Sequence, residues 1–433
     1  MIEAGFWRGY SMLAASACAA TATMQIDLAM VARSGGRVAG AFAVLMRITL
    51  LDVALTIAVA SVAGITVAHA NARGNLARDV GRTCVLVAAL GGMTTVFGFF
   101  VYPPVLVELT GAEEAARFDG LPIFWLVAAA PLRMLANAQG FVLHALGQGA
   151  VVFRSKFAEI PSKLVLNFLL MDVLGFDLAG CMIGGFAIAA ASCLWLWLCL
   201  RKRDAWSFGW PDCEFARSFL WATFWESYRI LSPQAAMLFS LALFSSTRFS
   251  GYNVERLDAF AAGQTFMLFV LGPMAALTRF LAMRLPTVPP RKQSHTLIQL
   301  TQSGTPIVSI GALLLFLGGD WVGDSLYHQH SSWWSTFVTV LSLSFPIRYF
   351  GSILRGVMLA RGRFSEQAKV DVVAQWLLAP LLLLLGLSMN NPPVAYLSII
   401  VPEIVCVFLI WLALGRLRHC ASIVPLASER PVR

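Results

Sequence analysis

Long apolar stretches separated by short polar loops recur along the whole chain. A helix that crosses a lipid bilayer needs about 20 mostly apolar residues. By that criterion the pattern predicts twelve helices, near residues 8–32, 39–68, 83–107, 121–146, 157–176, 179–200, 218–247, 258–282, 297–318, 333–360, 367–388 and 394–415. The chain is therefore predicted to be an all-α polytopic membrane protein with twelve transmembrane helices, surrounded by the lipid bilayer.

Composition agrees with that class and excludes a soluble one. Of the 433 residues, 58% are hydrophobic and only 13% are charged, and the mean hydropathy is +0.73. Soluble domains carry about 25% charged residues, so a soluble chain of this composition could not cover its surface with polar groups. The net charge of +9 does not indicate a nucleic-acid partner, because Lys and Arg gather in the loops of membrane proteins that face the cytoplasm.

Charge alternates between successive loops. Basic residues cluster in segments 73–82, 154–156, 201–203, 284–292, 361–369 and 416–433. The intervening loops are mostly acidic or lack basic residues, with exceptions at Arg33, Arg37, Arg248 and Arg256. The positive-inside rule then predicts that both termini lie in the cytoplasm. Short loops without large soluble domains are typical of a multi-pass protein of the bacterial inner membrane.

The sequence also looks doubled. One match pairs Met30–Gly36 and the following Val38–Ala43 in the first half with Arg248–Gly251 and the following Leu257–Ala262 in the second. Another pairs His144–Gly149 with Leu359–Arg363. Six helices return the chain to its starting side, so the pattern predicts two six-helix lobes related by a parallel pseudo-two-fold axis. The predicted lobes are residues 1–203 and 218–433, joined by a cytoplasmic linker at 204–217. Such an arrangement favours a transporter.

Ionisable residues inside the predicted spans are the most informative positions of the first half. Placing an ionisable side chain at the centre of a span costs about 2.5–3.5 kcal/mol, so such a residue is usually paired with another polar group or has a function. The polar residues at compatible depths are Asp27, Arg47, Asp52, Arg133, Asn137 and Asn167. Asp27 is the candidate to exchange a proton or to bind sodium, whereas a structural salt-bridge network is the alternative. The core of that network would be Asp52 with Arg47 or Arg133.

The second half contains more arginines than acids within its spans, including Arg348 and Arg355. Glu226 lies three residues before Arg229, which predicts a local ion pair. Glu403 follows Pro402, which suggests a carboxylate near a helix start, where the helix dipole favours negative charge.

Other motifs point to structure rather than chemistry. The chain has no phosphate loop, zinc-protease motif or nucleophile elbow, so neither an enzyme nor an ATP-driven pump is expected, and no cofactor or metal. His328 and His330, beside Asp324, are expected in a solvated loop. The segment Gly180–Gly184 predicts a close helix contact. Trp195, Trp197, Trp333 and Trp334 lie near span ends, where interfacial anchoring is expected.

Several of these segments resemble the multidrug and toxic compound extrusion (MATE) transporters. The matching residues are Asp27–Val31 before a Gly-Gly turn, Val38–Ala41, Leu109–Glu114, and the stretch from Pro131 through Gly147 to Asn167, followed by Gly175 and Gly180. The resemblance implies a monomer that exports small molecules, with the coupling cation held by Asp27 and Asn167. Family members also carry acids in stretches that correspond here to 233–246 and 342–351, which have none. That difference favours a proton over sodium.

The intramembrane arginines bear on the substrate. If Arg47, Arg133 or Arg348 lined the cavity, the cargo would be acidic, such as a siderophore-like peptide. A lipid-linked oligosaccharide flippase of the same superfamily would share a cationic cavity, but it would not need an acid at Asp27. A non-transporting membrane scaffold would have no reason to keep unpaired charges inside the bilayer.

Overall fold

A computed structural model of the chain describes residues 4–31, 42, 45–46, 49–110, 120–246, 248–249 and 254–420. Its regular secondary structure is helical throughout these residues. The first six helices are α1 (Ala4–Val31), α2 (Leu50–Arg73), α3 (Leu76–Thr110), α4 (Leu121–Ala128 continued by Ala130–Ala145), α5 (Gly149–Asn167 continued by a wider π-helical turn, Phe168–Val173) and α6 (Asp177–Arg201).

The second six are α7 (Cys213–Phe244), α8 (Val254–Arg284), α9 (Pro290–Val322 continued by Gly323–Tyr327), α10 (Ser332–Ala360), α11 (Phe364–Val373, Ala374–Leu378 and Ala379–Ser388) and α12 (Pro392–Cys420). Over the described ranges, nine of these helices are long and apolar enough to cross a bilayer. The prediction of an all-α polytopic membrane protein with twelve helices is therefore confirmed. The helices α1, α5 and α7 are not among the nine, and α1 and α5 carry the polar site described below.

The helices gather into two compact units. The first, called here the N-terminal unit, comprises Ile2–Leu231 with Met283–Pro289. The second, the C-terminal unit, comprises Ser232–Ala282 with the described residues from Pro290 onward. The division falls within α7, whereas the boundaries at 203 and 218 expected from the sequence stay a prediction.

The segment between α6 and α7 is fixed to the start of α3. The amide of Ser207 donates to the carbonyl oxygen of Ala77 at 3.0 Å, and Arg82 forms an ion pair with Asp212 at 2.9 Å. A side chain at Gly81 would collide with the carbonyl oxygen of Ser207. The absence of a side chain at this glycine therefore lets the connecting segment lie directly on α3.

The close contact predicted at Gly180 and Gly184 is confirmed between α5 and α6. A Cβ atom on Gly180 would lie 2.8 Å from the carbonyl carbon of Leu170, and one on Gly184 would lie 2.7 Å from Oδ1 of Asn167. Small residues allow helix backbones to approach closely in membranes. The glycine face of α6 thus packs against the part of α5 where the helix widens.

The predicted anchoring role of Trp333 and Trp334 is wrong. Only 8% of Trp333 and 1% of Trp334 are exposed, and both belong to an aromatic core of the C-terminal unit. The indole nitrogen of Trp334 donates to the carbonyl oxygen of Gly319 at 3.0 Å. Trp195, by contrast, is 53% exposed. Position near a span end does not tell which face of the helix a side chain occupies, so the sequence could not separate these tryptophans.

Candidate functional site

The N-terminal unit brings the predicted pair Asp27 and Asn167 together. The side-chain amide nitrogen of Asn167 donates to Oδ1 of Asp27 at 2.8 Å and approaches the sulfur of Cys181 at 3.8 Å. Asn167 is fully buried, whereas 22% of the Asp27 side chain is exposed. The carboxylate is therefore bound to the protein on one side and remains accessible on another.

Lys163 completes this site and was missed by the sequence reasoning. Its ammonium lies 3.1 Å from the same oxygen of Asp27 and donates to the carbonyl oxygen of Cys181 at 3.1 Å. Only 4% of Lys163 is exposed. The available signal was the spacing, because Lys163 and Asn167 lie four residues apart on one face of α5.

Two consecutive glycines of α6 make room for this polar group. A Cβ atom on Gly185 would lie 3.2 Å from the ammonium of Lys163, and one on Gly184 would press on the amide oxygen of Asn167. That amide oxygen is buried and has no hydrogen-bond partner within the described ranges. The glycines therefore position α6 against the site as well as allowing the helices to pack.

Adding a methyl group at Gly184 should disturb the site while sparing the fold. Gly184→Ala places its Cβ 2.7 Å from Oδ1 of Asn167, so the amide must rotate away from its contact with Asp27. We expect normal insertion and a loss of about 1–3 kcal/mol of stability, the usual cost of overpacking, measured as a lower melting temperature of the detergent-solubilised protein. Gly92→Ala on α3, where nothing lies within 4 Å of the added Cβ, is the control and should melt no lower than wild type. Equal melting temperatures for the two variants would contradict this role for Gly184.

A second polar pair of the same unit joins α2 and α4. Arg133 contacts Oδ2 of Asp52 at 2.6 Å, and Asp52 is only 4% exposed. The side chain of Asn137 donates at 2.8 Å to the backbone carbonyl oxygen of Arg133, so it bonds within its own helix. Arg47, the remaining member of the predicted cluster, lies outside the described residues. The described residues of the predicted polar cluster thus form two separate groups, one around Asp27 and one around Asp52.

The C-terminal unit contains a buried charge network centred on Arg355. Its guanidinium donates to both carboxylate oxygens of Glu403, at 2.5 and 3.1 Å, and to Asp371 at 3.0 Å. Arg348 lies 3.9 Å from Glu403. The sequence-based placement of Glu403 near a helix start is wrong, because α12 begins at Pro392 and continues through Pro402. Its negative charge is balanced by arginines instead of a helix dipole.

The described arginines of the predicted substrate cluster are engaged with protein groups. Arg348 donates to the carbonyl oxygen of Ile399 at 3.1 Å and to the hydroxyl of Ser344 at 3.2 Å. Arg133 is paired with Asp52. Both guanidinium groups therefore have acceptors within the protein, and an acidic cargo stays a prediction.

Two further expectations from the sequence concern local pairs. Arg229 donates to both carboxylate oxygens of Glu226, at 2.8 and 2.6 Å, as the three-residue spacing predicted. His330 contacts Asp324 at 2.6 Å, and the two side chains are 72% and 54% exposed. This surface contact is consistent with a solvated loop.

Comparisons with known proteins show which solved structures share this architecture. No family model and no curated protein matches the sequence. Among solved structures, a MATE in the bent conformation has a TM-score of 0.85 at 14% identity over 96% of this chain and 95% of that one. The Vibrio cholerae MATE transporter VcmN in the bent form has a TM-score of 0.83 at 16% identity over 96% and 97%. A MOP superfamily transporter from Pyrococcus furiosus, described as having a binding pocket of reverse polarity, has a TM-score of 0.82 at 14% identity over 97% and 96%.

These similarities cover nearly the full length of both partners in each comparison. The chain is a polytopic, all-α membrane protein built on a two-lobe arrangement of twelve helices. Its fold is that of the MATE transporters. At these identities the likeness establishes the fold, and the sequence resemblance noted above agrees with it.

Proposed function

We propose that the protein is a secondary active exporter that moves an organic small molecule by alternating access. The driving ion is a proton or sodium, with the proton preferred, and the coupling group is the carboxylate of Asp27 with its partner Asn167. The observation that carries the proposal is the hydrogen bond of 2.8 Å between these two side chains, formed between α1 and α5 in a chain with the fold of the MATE transporters.

An ion-binding role explains a carboxylate at this position of α1. An ionisable group in a membrane helix is costly and usually marks a functional site or a structural pair. Asp27 is not fully enclosed, with 22% of its side chain exposed, and neutralising it would weaken its contacts with α5. Matched structures in bent and straight forms, and one in an outward-facing form, support alternating access as the accompanying motion.

The C-terminal unit favours coupling in the N-terminal unit alone. Its buried acids Glu403 and Asp371 are only 8% and 9% exposed and are both held by Arg355, whereas 22% of the Asp27 side chain is exposed. Together with the absence of acids from 233–246 and 342–351, this supports one coupling site around Asp27.

The paired arginines bear on the substrate class. Arg133 and Arg348 have protein acceptors, which supports a neutral or cationic small molecule as the preferred cargo. An acidic siderophore-like cargo is the second choice, and a lipid-linked oligosaccharide flippase is the alternative function. We further propose that the protein acts as a monomer in the bacterial inner membrane with both termini in the cytoplasm.

Expression in an efflux-deficient bacterium tests the coupling role of Asp27. Wild type should raise the inhibitory concentrations of members of a panel of cationic drugs and dyes, and Asp27→Asn should abolish that protection at equal membrane content. Asp172→Asn is the matched control, because Asp172 is an exposed carboxylate near the end of α5, and it should protect like wild type. Protection that survives in Asp27→Asn would contradict the proposal. No protection by well-inserted wild type would favour the flippase or a dedicated exporter.

A further inference from the structure

The carboxylate of Asp27 has its positive partner within the protein chain itself. The ammonium of Lys163 lies 3.1 Å from Oδ1 of Asp27, and only 5% of the Lys163 side chain is exposed. A lysine at a solvated surface changes partners freely, whereas this one is enclosed between α1, α5 and α6. The charge of Asp27 is therefore balanced without any added ion.

The position of the ammonium is fixed by α6. The carbonyl oxygen of Cys181 accepts a hydrogen bond from Lys163 at 3.1 Å. Gly185 lies alongside, and a Cβ atom there would stand 3.2 Å from the lysine nitrogen. A carboxylate oxygen and a backbone carbonyl oxygen thus surround the ammonium, and such oxygens are the ligands that hard metal cations also prefer.

We propose that Lys163 is a tethered cation that occupies the place of a metal ion beside Asp27, so that the site excludes sodium and exchanges only protons. This inference rests on the coupling role proposed for Asp27. A sodium ion bound to the carboxylate would lie within a few ångströms of the ammonium, and like charges at that separation repel strongly where water is scarce. One carboxylate cannot neutralise both cations.

A proton avoids that conflict because it forms a covalent bond to the carboxylate oxygen and needs no shell of ligands. Proton uptake converts Asp27 from a carboxylate to a carboxylic acid and breaks its ion pair with Lys163. The lysine keeps its proton and its hydrogen bond to the carbonyl oxygen of Cys181. The contact between α1 and α5 then changes from an ion pair to a contact between an ammonium and an uncharged carboxylic acid.

Binding of radioactive sodium to the purified full-length protein tests this inference without any transport substrate. At constant ionic strength, wild type should show no saturable binding. Lys163→Met, which removes the charge and retains much of the length, should gain saturable sodium binding because the repulsion between the two cations is removed. Adding Asp27→Asn to that variant should abolish the binding. Lys202→Met is the control, because Lys202 is an exposed lysine at the end of α6, away from Asp27, and it should resemble wild type.

Two results would overturn the inference. One is saturable sodium binding by wild type that Asp27→Asn removes, and the other is the absence of sodium binding by a folded Lys163→Met protein. Lys163→Gln replaces the methionine variant if that protein fails to insert. Failure of the coupling proposal is seen separately, as unchanged drug export by Asp27→Asn.

Discussion

Replacing Arg355 with methionine is expected to destabilise the C-terminal unit by about 3–5 kcal/mol, because removal of one partner leaves buried charges uncompensated. Arg355 is the shared partner of Glu403 and Asp371, which are only 8% and 9% exposed. Gly351 lies against this network, where a Cβ atom would stand 2.6 Å from Oε1 of Glu403, so the surrounding helices leave little space for rearrangement. We expect the detergent-solubilised Arg355→Met protein to show a strongly lowered melting temperature.

An exposed arginine pair provides the control for Arg355→Met. Arg363 contacts Glu366, and their side chains are 37% and 46% exposed. Arg363→Met should therefore cost between zero and about 1 kcal/mol. Combining Arg355→Met with Glu403→Gln and Asp371→Asn should recover part of the lost stability, since no buried carboxylate is then left unpaired, while Arg348 keeps its hydrogen bonds to Ser344 and Ile399. Equal melting temperatures for Arg355→Met and Arg363→Met would show that the network contributes little.

Loss of Arg133 is expected to destabilise the N-terminal unit by about 1–3 kcal/mol, the cost of leaving a buried polar group without its partner. Asp52 is the group left behind, with 4% of its side chain exposed, whereas 34% of the arginine side chain is exposed. Water reaches the arginine, so the expected effect is smaller than for Arg355. The melting temperature of Arg133→Met should therefore fall between those of wild type and Arg355→Met.

A double substitution separates the ion pair from simple packing. Arg133→Met with Asp52→Leu should be more stable than Arg133→Met alone, because the unpaired carboxylate is absent. Arg154→Met is the matched control, since Arg154 is an exposed arginine on α5, and its melting temperature should equal that of wild type. A double variant less stable than Arg133→Met would argue against an ion pair of structural importance.

The apolar periodicity was sufficient to predict the fold class because bilayer thickness imposes a minimum length on every crossing helix. Twelve helices were predicted and twelve were found in the described ranges. Helix irregularities were not foreseen, since Pro402 was taken as a sign of a helix start although α12 runs through it. Membrane helices tolerate proline because neighbouring groups can form hydrogen bonds with the backbone groups that proline leaves without a partner.

The candidate site was only partly predictable. Asp27 and Asn167 are conspicuous as polar groups in apolar spans, but their pairing is implied by the resemblance to the MATE transporters, and their contact is direct. Lys163 was not selected from the sequence, because it belongs to a half-polar stretch of α5. Its role depends on how closely α6 packs against α5. That packing depends on Gly184 and Gly185, whose importance appears only when the neighbouring helix is in place.

The most direct measurement of the central proposal is transport by purified protein in liposomes under an imposed pH gradient. The probe would be a dye against which wild type protects cells, and the variants would be Asp27→Asn and Asp172→Asn at equal reconstitution. We predict gradient-driven movement of the dye by wild type and by Asp172→Asn, and none by Asp27→Asn. Gradient-driven movement by Asp27→Asn at the wild-type rate would contradict coupling through this carboxylate.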